Sequence, residues 1–337
     1  MVGLVAASIE HITDGKPQKK DVLQFIGRTV QLEQRNAAMN YFIGVIVEKM
    51  RAAGIEAVLV KGQGVAQCYE RPLWRSCGDV DLFLSDENYE RAKAFLTPLA
   101  ASVEEEYVRE KHLGMTIDPW VVELHGRLYS GLSGRIEREL DGVYRETFEV
   151  PEPPKGERKV VVRSWDNSGV RVPQLAVEND VFYVFTHILQ HFYKGGIGLR
   201  QICDWCRLLW TYRSELDVAK LEGRLRRAGL MSEWRAFYNL ASRYLGMPDL
   251  DSSLMFQDPR YDKKADRIME FVIMSGNFGH NRDHSYFEKY PYLVRKCVSF
   301  GRRVGDLARH ARIFPLDSLR FSFAIMWNGV RSAIRGE

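Results

Sequence analysis

The sequence predicts an α+β fold in which a small sheet domain with flanking helices precedes a mainly helical domain. Three patterns lead to this prediction. Apolar residues recur near the helical period over residues 20–53, as in a long helix with one buried face. Short apolar segments with strand character alternate with a helical segment over residues 55–125. Beyond two further strand-like segments, the pattern is helical almost throughout. Strands followed by a run of helices are typical of the α+β class.

The elements of the first half follow from local signals. Gly54 stands where the first helix ends, and Ser85 is a good N-cap for a helix that Pro98 stops. We expect helices over 20–53, 65–70 and 87–96, and strands over 55–60, 79–84, 103–108, 113–117 and 120–125.

The second half begins after a segment rich in proline and glycine, residues 151–156, which is the best linker candidate. Two strands are expected, over 160–163 and 170–172. Helical periodicity then covers 178–193, 199–212, 216–228 and 232–245.

Composition indicates an ordinary globular protein. The chain has 337 residues, of which 45% are hydrophobic and 27% charged, with a net charge of +4. Its five cysteines form an odd, scattered set, which argues against a secreted disulfide framework. The N-terminus lacks the basic start of a signal peptide, and no run approaches the roughly 20 apolar residues of a membrane span. We therefore expect a cytoplasmic protein with no transmembrane segment.

The C-terminal segment, residues 286–337, is basic, with ten Lys and Arg against four Asp and Glu. Aromatic residues are interleaved with the arginines. This pattern is compatible with binding to nucleic acid, to anionic lipid or to a phosphate-bearing substrate. A helix packed on the domain with a solvated basic face is the simpler interpretation, and it is the one we favour.

Two aspartates on one predicted strand suggest a metal site. Asp79 and Asp81 are two residues apart, so their side chains lie on the same face, about 7 Å apart. Like charges at that spacing repel unless a cation lies between them, and Mg²⁺ binds in proteins through one or two carboxylates plus substrate phosphates. The motif also occurs by chance at strand ends and turns, so its neighbours decide its weight.

The neighbouring residues favour phosphate chemistry. Glu123 lies on a second apolar strand and offers a third carboxylate, which suffices for the two-metal sites of phosphoryl and nucleotidyl transfer. Lys61 and Gly62 follow a buried strand, where a backbone free of bulk and a positive charge suit a phosphate. Arg75 suits bidentate phosphate binding, and Gly78 removes side-chain bulk beside the metal.

These segments together resemble the uncharacterised nucleotidyltransferase family of bacteria, a branch of the DNA polymerase β-type nucleotidyltransferase superfamily. The resemblance covers roughly residues 30–285. It is carried by residues 58–62, Tyr69, Arg75, residues 78–84 and residues 122–125, and in the helical half by His187, His191 and Asp204.

The resemblance implies a metal-dependent nucleotidyltransferase that binds Mg²⁺ or Mn²⁺ and a nucleoside triphosphate such as ATP. Asp79, Asp81 and Glu123 are then the metal ligands and catalytic residues. Lys61 and Gly62 lie near the triphosphate, although most of the superfamily has Gly-Ser at this turn.

The implied domain organisation has four parts. Residues 1–54 form a helical segment that packs on the catalytic domain, and residues 55–150 form the catalytic domain, with a small mixed sheet. Residues 151–285 form a mainly helical domain on the substrate side, and residues 286–337 the basic helical segment.

A further set of residues is expected to form the wall of the active cleft. His187 and His191 are four apart and share one helix face. Their spacing also suits zinc, but the sequence supplies no obvious third ligand, and we favour the cleft wall. The set comprises His125, His187, His191, Arg200 and Asp204.

Three functions stay open at this point. The first is transfer of a nucleoside monophosphate to the hydroxyl of an acceptor whose identity the sequence does not give. The second is a nucleotide- or partner-binding module on a degenerate transferase fold, which the change from Gly-Ser to Lys61-Gly62 keeps open. The third is an RNA-modifying transferase that uses the basic C-terminus.

Overall fold

The computed structural model describes residues 2–9, 11, 14–15, 17–149, 162–276, 292–323 and 325. The chain forms two compact units. The first consists of residues 1–128, 141–180 and 210–212, and the second of residues 129–140, 181–209 and 213–337.

The first unit contains a seven-stranded sheet and the helices packed on it. Its helices are α1 (Val2–Ile9), α2 (Lys19–Ala52), α3 (Gly62–Ala66) and α4 (Asp86–Leu96). Its strands are β1 (Val58–Val60), β2 (Asp79–Phe83), β3 (Ser102–Val103), β4 (His112–Ile117), β5 (Trp120–His125), β6 (Val162–Asn167) and β7 (Val170–Leu175).

The remaining helices are α5 (Gly134–Phe148), α6 (Val177–Lys194), α7 (Leu199–Thr211), α8 (Val218–Ala228), α9 (Met231–Leu245), α10 (Asp262–Ser275) and α11 (Tyr292–Ala311). A further helical stretch covers residues 315–323. None of the helices in the described parts of the chain is both long and apolar enough to cross a membrane.

The sheet is mixed, with strand order β3-β4-β5-β2-β1-β7-β6. Strand β2 is antiparallel to β1 and parallel to β5, while β1 is parallel to β7. The hairpins β4–β5 and β6–β7 are antiparallel. The α+β fold with a mixed sheet and a helical C-terminal part is therefore confirmed.

Burial explains why these segments form the centre of the sheet. Strand β1 is buried along its whole length, and Leu82 of β2 and Leu124 of β5 are fully buried. Helix α2 supplies Met39, Ile43 and Met50 to the same core. Each such aliphatic side chain stabilises the fold by about 1.5–3 kcal/mol when it leaves water. Strand β2, which carries the two aspartates, thus lies between two strands that contribute buried side chains to the core.

The hairpin β6–β7 joins the same sheet, where Leu59 of β1 lies beside Gln174 of β7. The sequence analysis had placed these strands in the segment after residue 150. The local pattern predicted strands there but not their partner, because the partner lies more than a hundred residues earlier. Residues 151–156, the expected linker, lie outside the described residues.

Several element boundaries differ from the sequence-based expectation. Helix α3 begins at Gly62, directly after β1, rather than at residue 65. Strand β3 is only two residues long, although the Glu104 N–H still donates to the Gly114 carbonyl oxygen at 2.9 Å and Tyr107 forms an isolated bridge with His112. Strand β6 extends to Asn167, where it meets the turn before β7.

Aromatic packing forms the core of the second unit. The ring of Phe185 on α6 lies 5.3 Å from that of Trp205 and 4.9 Å from that of Trp234, between centroids. Phe192 extends this cluster to Phe271, at 5.1 Å. The pairs Phe185–Trp234 and Phe192–Phe271 are edge-to-face, a geometry that adds to the energy of area burial.

Candidate active site

The pairing of β2 with β5 brings two predicted carboxylates together. Asp81 lies directly beside Glu123 in the parallel register, and Phe83 lies beside His125. Because side chains alternate along a strand, Asp79, Asp81, Glu123 and His125 share one face of the sheet. On the other side of β2, Val60 of β1 pairs with Asp81. Lys61 is the residue after Val60, so it lies next to this pair.

Asp81 is the most enclosed of the three carboxylates. Its side chain is 2% exposed and forms an ion pair with Lys61 Nζ at 2.7 Å. The same oxygen, Oδ1, lies 2.9 Å from Nε2 of the buried His125. A buried carboxylate needs such partners, since an isolated charge in the interior is costly. Asp81 is therefore held in place by two cationic or proton-donating groups.

Asp79 lies in a field of negative charge. The charge of Asp81 raises its pKa, and burial and the charge of Glu123 act in the same direction. Lys61 and Arg75 lower it, but they only partly compensate. Two carboxylates that share a site behave this way until a cation joins them. Three carboxylates on one sheet face are oxygen donors of the kind that a hard divalent cation takes.

Glu123 has a different environment from the aspartates. Its Oε2 lies 3.2 Å from His112 Nε2 and 3.5 Å from His125 Nε2. The hydrogen bonds from His112 and then His125 hold the pKa of Glu123 well below its ordinary range. For His125, burial lowers the pKa, but the hydrogen bonds to Asp81 and Glu123 outweigh it and the pKa is raised.

The backbone at Lys61 is strained. Its φ is 55° and its ψ is −145°, a region that residues with a side chain rarely occupy. Strain of this kind costs on the order of 1–3 kcal/mol and collects at functional sites. Gly62 follows with a φ of 42°, and a Cβ there would lie 3.2 Å from Cys77 Sγ. The positive φ therefore favours glycine here, and a side chain would also crowd Cys77.

Arg75 is buried in the loop between α3 and β2, and its backbone is held by helix α2. Asn36, which is fully buried, donates to the carbonyl oxygens of Leu73 at 2.7 Å and Arg75 at 2.8 Å. Its own Oδ1 accepts from Gln63 Nε2 at 3.0 Å. One amide side chain therefore links the segment after β1 to the loop that carries Arg75.

Gly78 has open space around it, since a Cβ there would meet no atom within 4 Å.

The first unit contains all the residues predicted to bind metal or nucleotide, together with His125. Their roles stay predictions.

Four of the predicted cleft residues belong to the second unit. His187 and His191 lie on α6 with their Nε2 atoms 3.0 Å apart. Arg200 and the buried Asp204 lie on α7. Their assignment to the wall of an active cleft stays a prediction.

The two cysteines of α7 do not have reactive thiols. Burial raises the pKa of Cys203 to about 11 and that of the buried Cys206 further. Both are free thiols, and both stay protonated at neutral pH. They are best explained as packing residues of the helix.

Sequence reasoning missed two residues of this site, His112 and Asn36. The hairpin around Asp118 could have placed His112 beside His125 from the sequence alone. Ile117 pairs with Trp120, so counting five residues outward on each side pairs His112 with His125. Asn36 gave no signal, because its partners come from segments 27 to 39 residues away in sequence.

The family model described as uncharacterised nucleotidyltransferase matches residues 1–246 of the chain. No curated protein and no solved structure shows significant similarity to it.

Proposed function

The chain belongs to the uncharacterised nucleotidyltransferase family, and on this premise we propose that it moves a nucleoside monophosphate from a nucleoside triphosphate to an acceptor hydroxyl. The observation that carries the proposal is the register of β2 and β5, which sets Asp81 beside Glu123 with Asp79 on the same face. Three carboxylates so placed suit a two-metal site of the kind used in phosphoryl and nucleotidyl transfer.

Each residue has a role in this scheme. Asp79, Asp81 and Glu123 would hold Mg²⁺ or Mn²⁺, which supplies Lewis-acid stabilisation of charge on the phosphate oxygens. Lys61 and Arg75 would bind and orient the triphosphate through their positive charges. Glu123, which its histidine partners keep ionised, suits the role of a ligand more than that of a general base.

The ion pair between Lys61 and Asp81 has a consequence for nucleotide binding. Lys61 Nζ lies 2.7 Å from a carboxylate that is expected to bind metal. When a metal ion takes over the charge of Asp81, Lys61 becomes available to a phosphate. Metal and nucleotide are thus expected to bind cooperatively, because the metal compensates the charge of Asp81 and the phosphate compensates the charge of Lys61.

Calorimetric titration with non-transferable α,β-methylene analogues of the four nucleoside triphosphates tests this function. We expect binding that depends on Mg²⁺ and is abolished in the double variant Asp79→Ala, Asp81→Ala. The matched control is Glu87→Gln with Glu90→Gln, which removes two negative charges from the exposed face of α4. Unchanged binding in the aspartate variant, with thermal melts showing that it is folded, would overturn the proposal.

A binding module without transfer is the second candidate function. The observation that favours it is the double engagement of Asp81 by Lys61 and His125, because both contacts compete with a metal ion. Incubation with triphosphates labelled at the α-phosphate, together with pools of small molecules and RNA, separates the two candidates. Labelled monophosphate on an acceptor, with release of pyrophosphate, supports the transferase. Nucleotide binding with no label transferred to any pool supports the module.

RNA as the acceptor would depend on the basic C-terminal segment. Arg303, Arg309 and Arg312 in the described part of this segment are exposed, although Arg309 pairs with Asp306 at 3.1 Å. Much of the segment lies outside the described residues. RNA binding that falls steeply with salt, and is lost on truncation before residue 286, would support this form of the activity.

A further inference from the structure

A second set of donor atoms adjoins the carboxylates, and it contains two imidazoles. His112 on β4 lies directly opposite His125 on β5, and Glu123 lies two residues before His125. The strand alternation directs all three side chains to one face. The rings of His112 and His125 are 4.8 Å apart between centroids.

The donor atoms are spaced as a metal ion requires. Glu123 Oε2 lies 3.2 Å from His112 Nε2 and 3.5 Å from His125 Nε2. All three ligand atoms lie within 4.8 Å of one another. Donors bound tetrahedrally at about 2.1 Å from a zinc ion are about 3.4 Å apart, so two of the three edges already have the right length.

We propose that His112, Glu123 and His125 form a site for a first-row transition-metal dication such as Zn²⁺. Two imidazole nitrogens and one carboxylate favour zinc or another borderline metal over Mg²⁺, which takes oxygen ligands. Three protein ligands leave a fourth position open to water or to a substrate oxygen, as catalytic zinc sites do.

The site adjoins the carboxylate pair. Asp81 Oδ1 lies 2.9 Å from the same His125 nitrogen, so a metal ion there would replace the contact between His125 and Asp81. Glu123 is common to this site and to the three carboxylates of the proposed function, and a zinc ion would leave Asp79 and Asp81 as the oxygen ligands for Mg²⁺. The two sites therefore differ in chemistry, and His112 belongs only to the transition-metal site. This inference does not depend on nucleotidyl transfer.

Zinc binding to the metal-free full chain tests the proposal, by calorimetry and by X-ray absorption at the zinc edge. We expect one zinc per chain, with outer-shell scattering from two imidazoles. His112→Gln, which keeps a polar side chain, should weaken zinc binding about 100-fold or more, since losing even an outer partner of a ligand costs 10- to 100-fold. The matched control is His187→Gln, which removes one ring of a second close histidine pair within the described residues and should leave zinc binding unchanged.

Four outcomes would overturn the proposal. These are no zinc binding by the wild-type chain, a zinc spectrum without imidazole scattering, and zinc affinity that survives His112→Gln or disappears with His187→Gln. The absorption spectrum is measured on the wild-type chain, so zinc bound without imidazole overturns the proposal even if a variant fails to fold. Zinc bound by the His187 and His191 pair is recognised by loss of binding in His187→Gln. Titration with the Mg²⁺-nucleotide analogues is independent, because a chain that binds zinc but no nucleotide keeps this proposal and loses the transferase.

Discussion

At the scale of single residues, the two aspartates of β2 have opposite energetic roles despite their chemical identity. Asp81 is enclosed by Lys61 and His125 and carries a charge that both partners compensate. For Asp79, the positive charges of Lys61 and Arg75 only partly compensate the negative charge of Asp81, which raises the pKa of Asp79. Removing the charge of Asp81 should therefore cost the metal-free protein more stability than removing the charge of Asp79.

We expect Asp81→Asn to destabilise the metal-free protein by about 2 kcal/mol or more, because it removes the buried negative charge that contacts both Lys61 and His125. Asp79→Asn should be neutral or stabilising, since it removes a repulsion. Urea unfolding of both variants in the presence of a chelator measures the difference. Equal losses of stability in the two variants would contradict this account of the site.

At the scale of elements, helix α2 does more than cover the sheet. Asn36 on its buried face holds both the loop that carries Arg75 and the segment that follows Lys61. Local sequence shows only an asparagine in a helix, where it has modest propensity. The function of the helix at this point is to fix two loops that supply the positive charges of the site.

Replacing Asn36 with alanine should cost about 2–3 kcal/mol, because it removes the hydrogen bonds that the carbonyls of Leu73 and Arg75 and the amide of Gln63 make with Asn36. Hydrogen exchange should also quicken at the amides of residues 61–75, and affinity for the nucleotide analogues should fall. Gln34→Ala, at an exposed amide on the same helix, is the control and should change neither property. Unaltered exchange in residues 61–75 of Asn36→Ala would mean that the loops are held by other contacts.

Helices α6 and α9 share a buried carboxyl that makes stability depend on pH. Glu233 is fully buried and accepts a hydrogen bond from the hydroxyl of Tyr193 at 3.2 Å. Burial, followed by the negative charge of Asp317, raises the pKa of Glu233 to about 8. The folded state therefore binds a proton that the unfolded state releases between its ordinary pKa of 4.5 and pH 8.

The consequence is a loss of stability with rising pH across that window. The contribution of Glu233 is fully present below pH 4.5 and falls by up to about 1.4 kcal/mol per pH unit until the folded-state pKa is passed. Urea unfolding at pH 5, 6, 7 and 8 should show this slope in the wild type relative to Glu233→Gln. Parallel pH profiles for the two proteins would show that the carboxyl is not held protonated.

At the scale of the whole molecule, the sheet does not follow the linear order of the chain. Strand β1, which leads into Lys61, has β2 on one side and β7 on the other. Strand β7 begins only at Val170. Residues 1–128 therefore lack one neighbour of a strand that is buried along its whole length.

This topology predicts the behaviour of fragments. A fragment that ends at residue 149 should fail to unfold cooperatively, because β1 would be left at an open edge with its apolar side chains exposed. A fragment that ends at residue 180 restores β6 and β7 and should show a cooperative thermal transition. Circular dichroism melts of the two fragments measure this, and equal transitions in both would indicate that the hairpin is dispensable.

Much of the local structure followed from the sequence. The helices α2, α4 and α6 to α9 and the strands β2, β4 and β5 lie within a few residues of the predicted ranges, and the side chain of Ser85 caps α4 as expected. The family, the α+β class and the position of Asp79 and Asp81 on one strand face were also accessible, since they depend on periodicity and on short motifs. Each of these signals lies within one contiguous segment.

Tertiary structure alone decided which segments meet. That Glu123 lies beside Asp81, that His112 completes a cluster with it, and that Asn36 holds the loop of Arg75 all depend on contacts between distant segments. Periodicity determines whether a segment is a helix or a strand and which face is buried, but it carries no information on strand order. The order is fixed by the joint burial of many apolar faces, and that global condition determines the surroundings of each carboxylate.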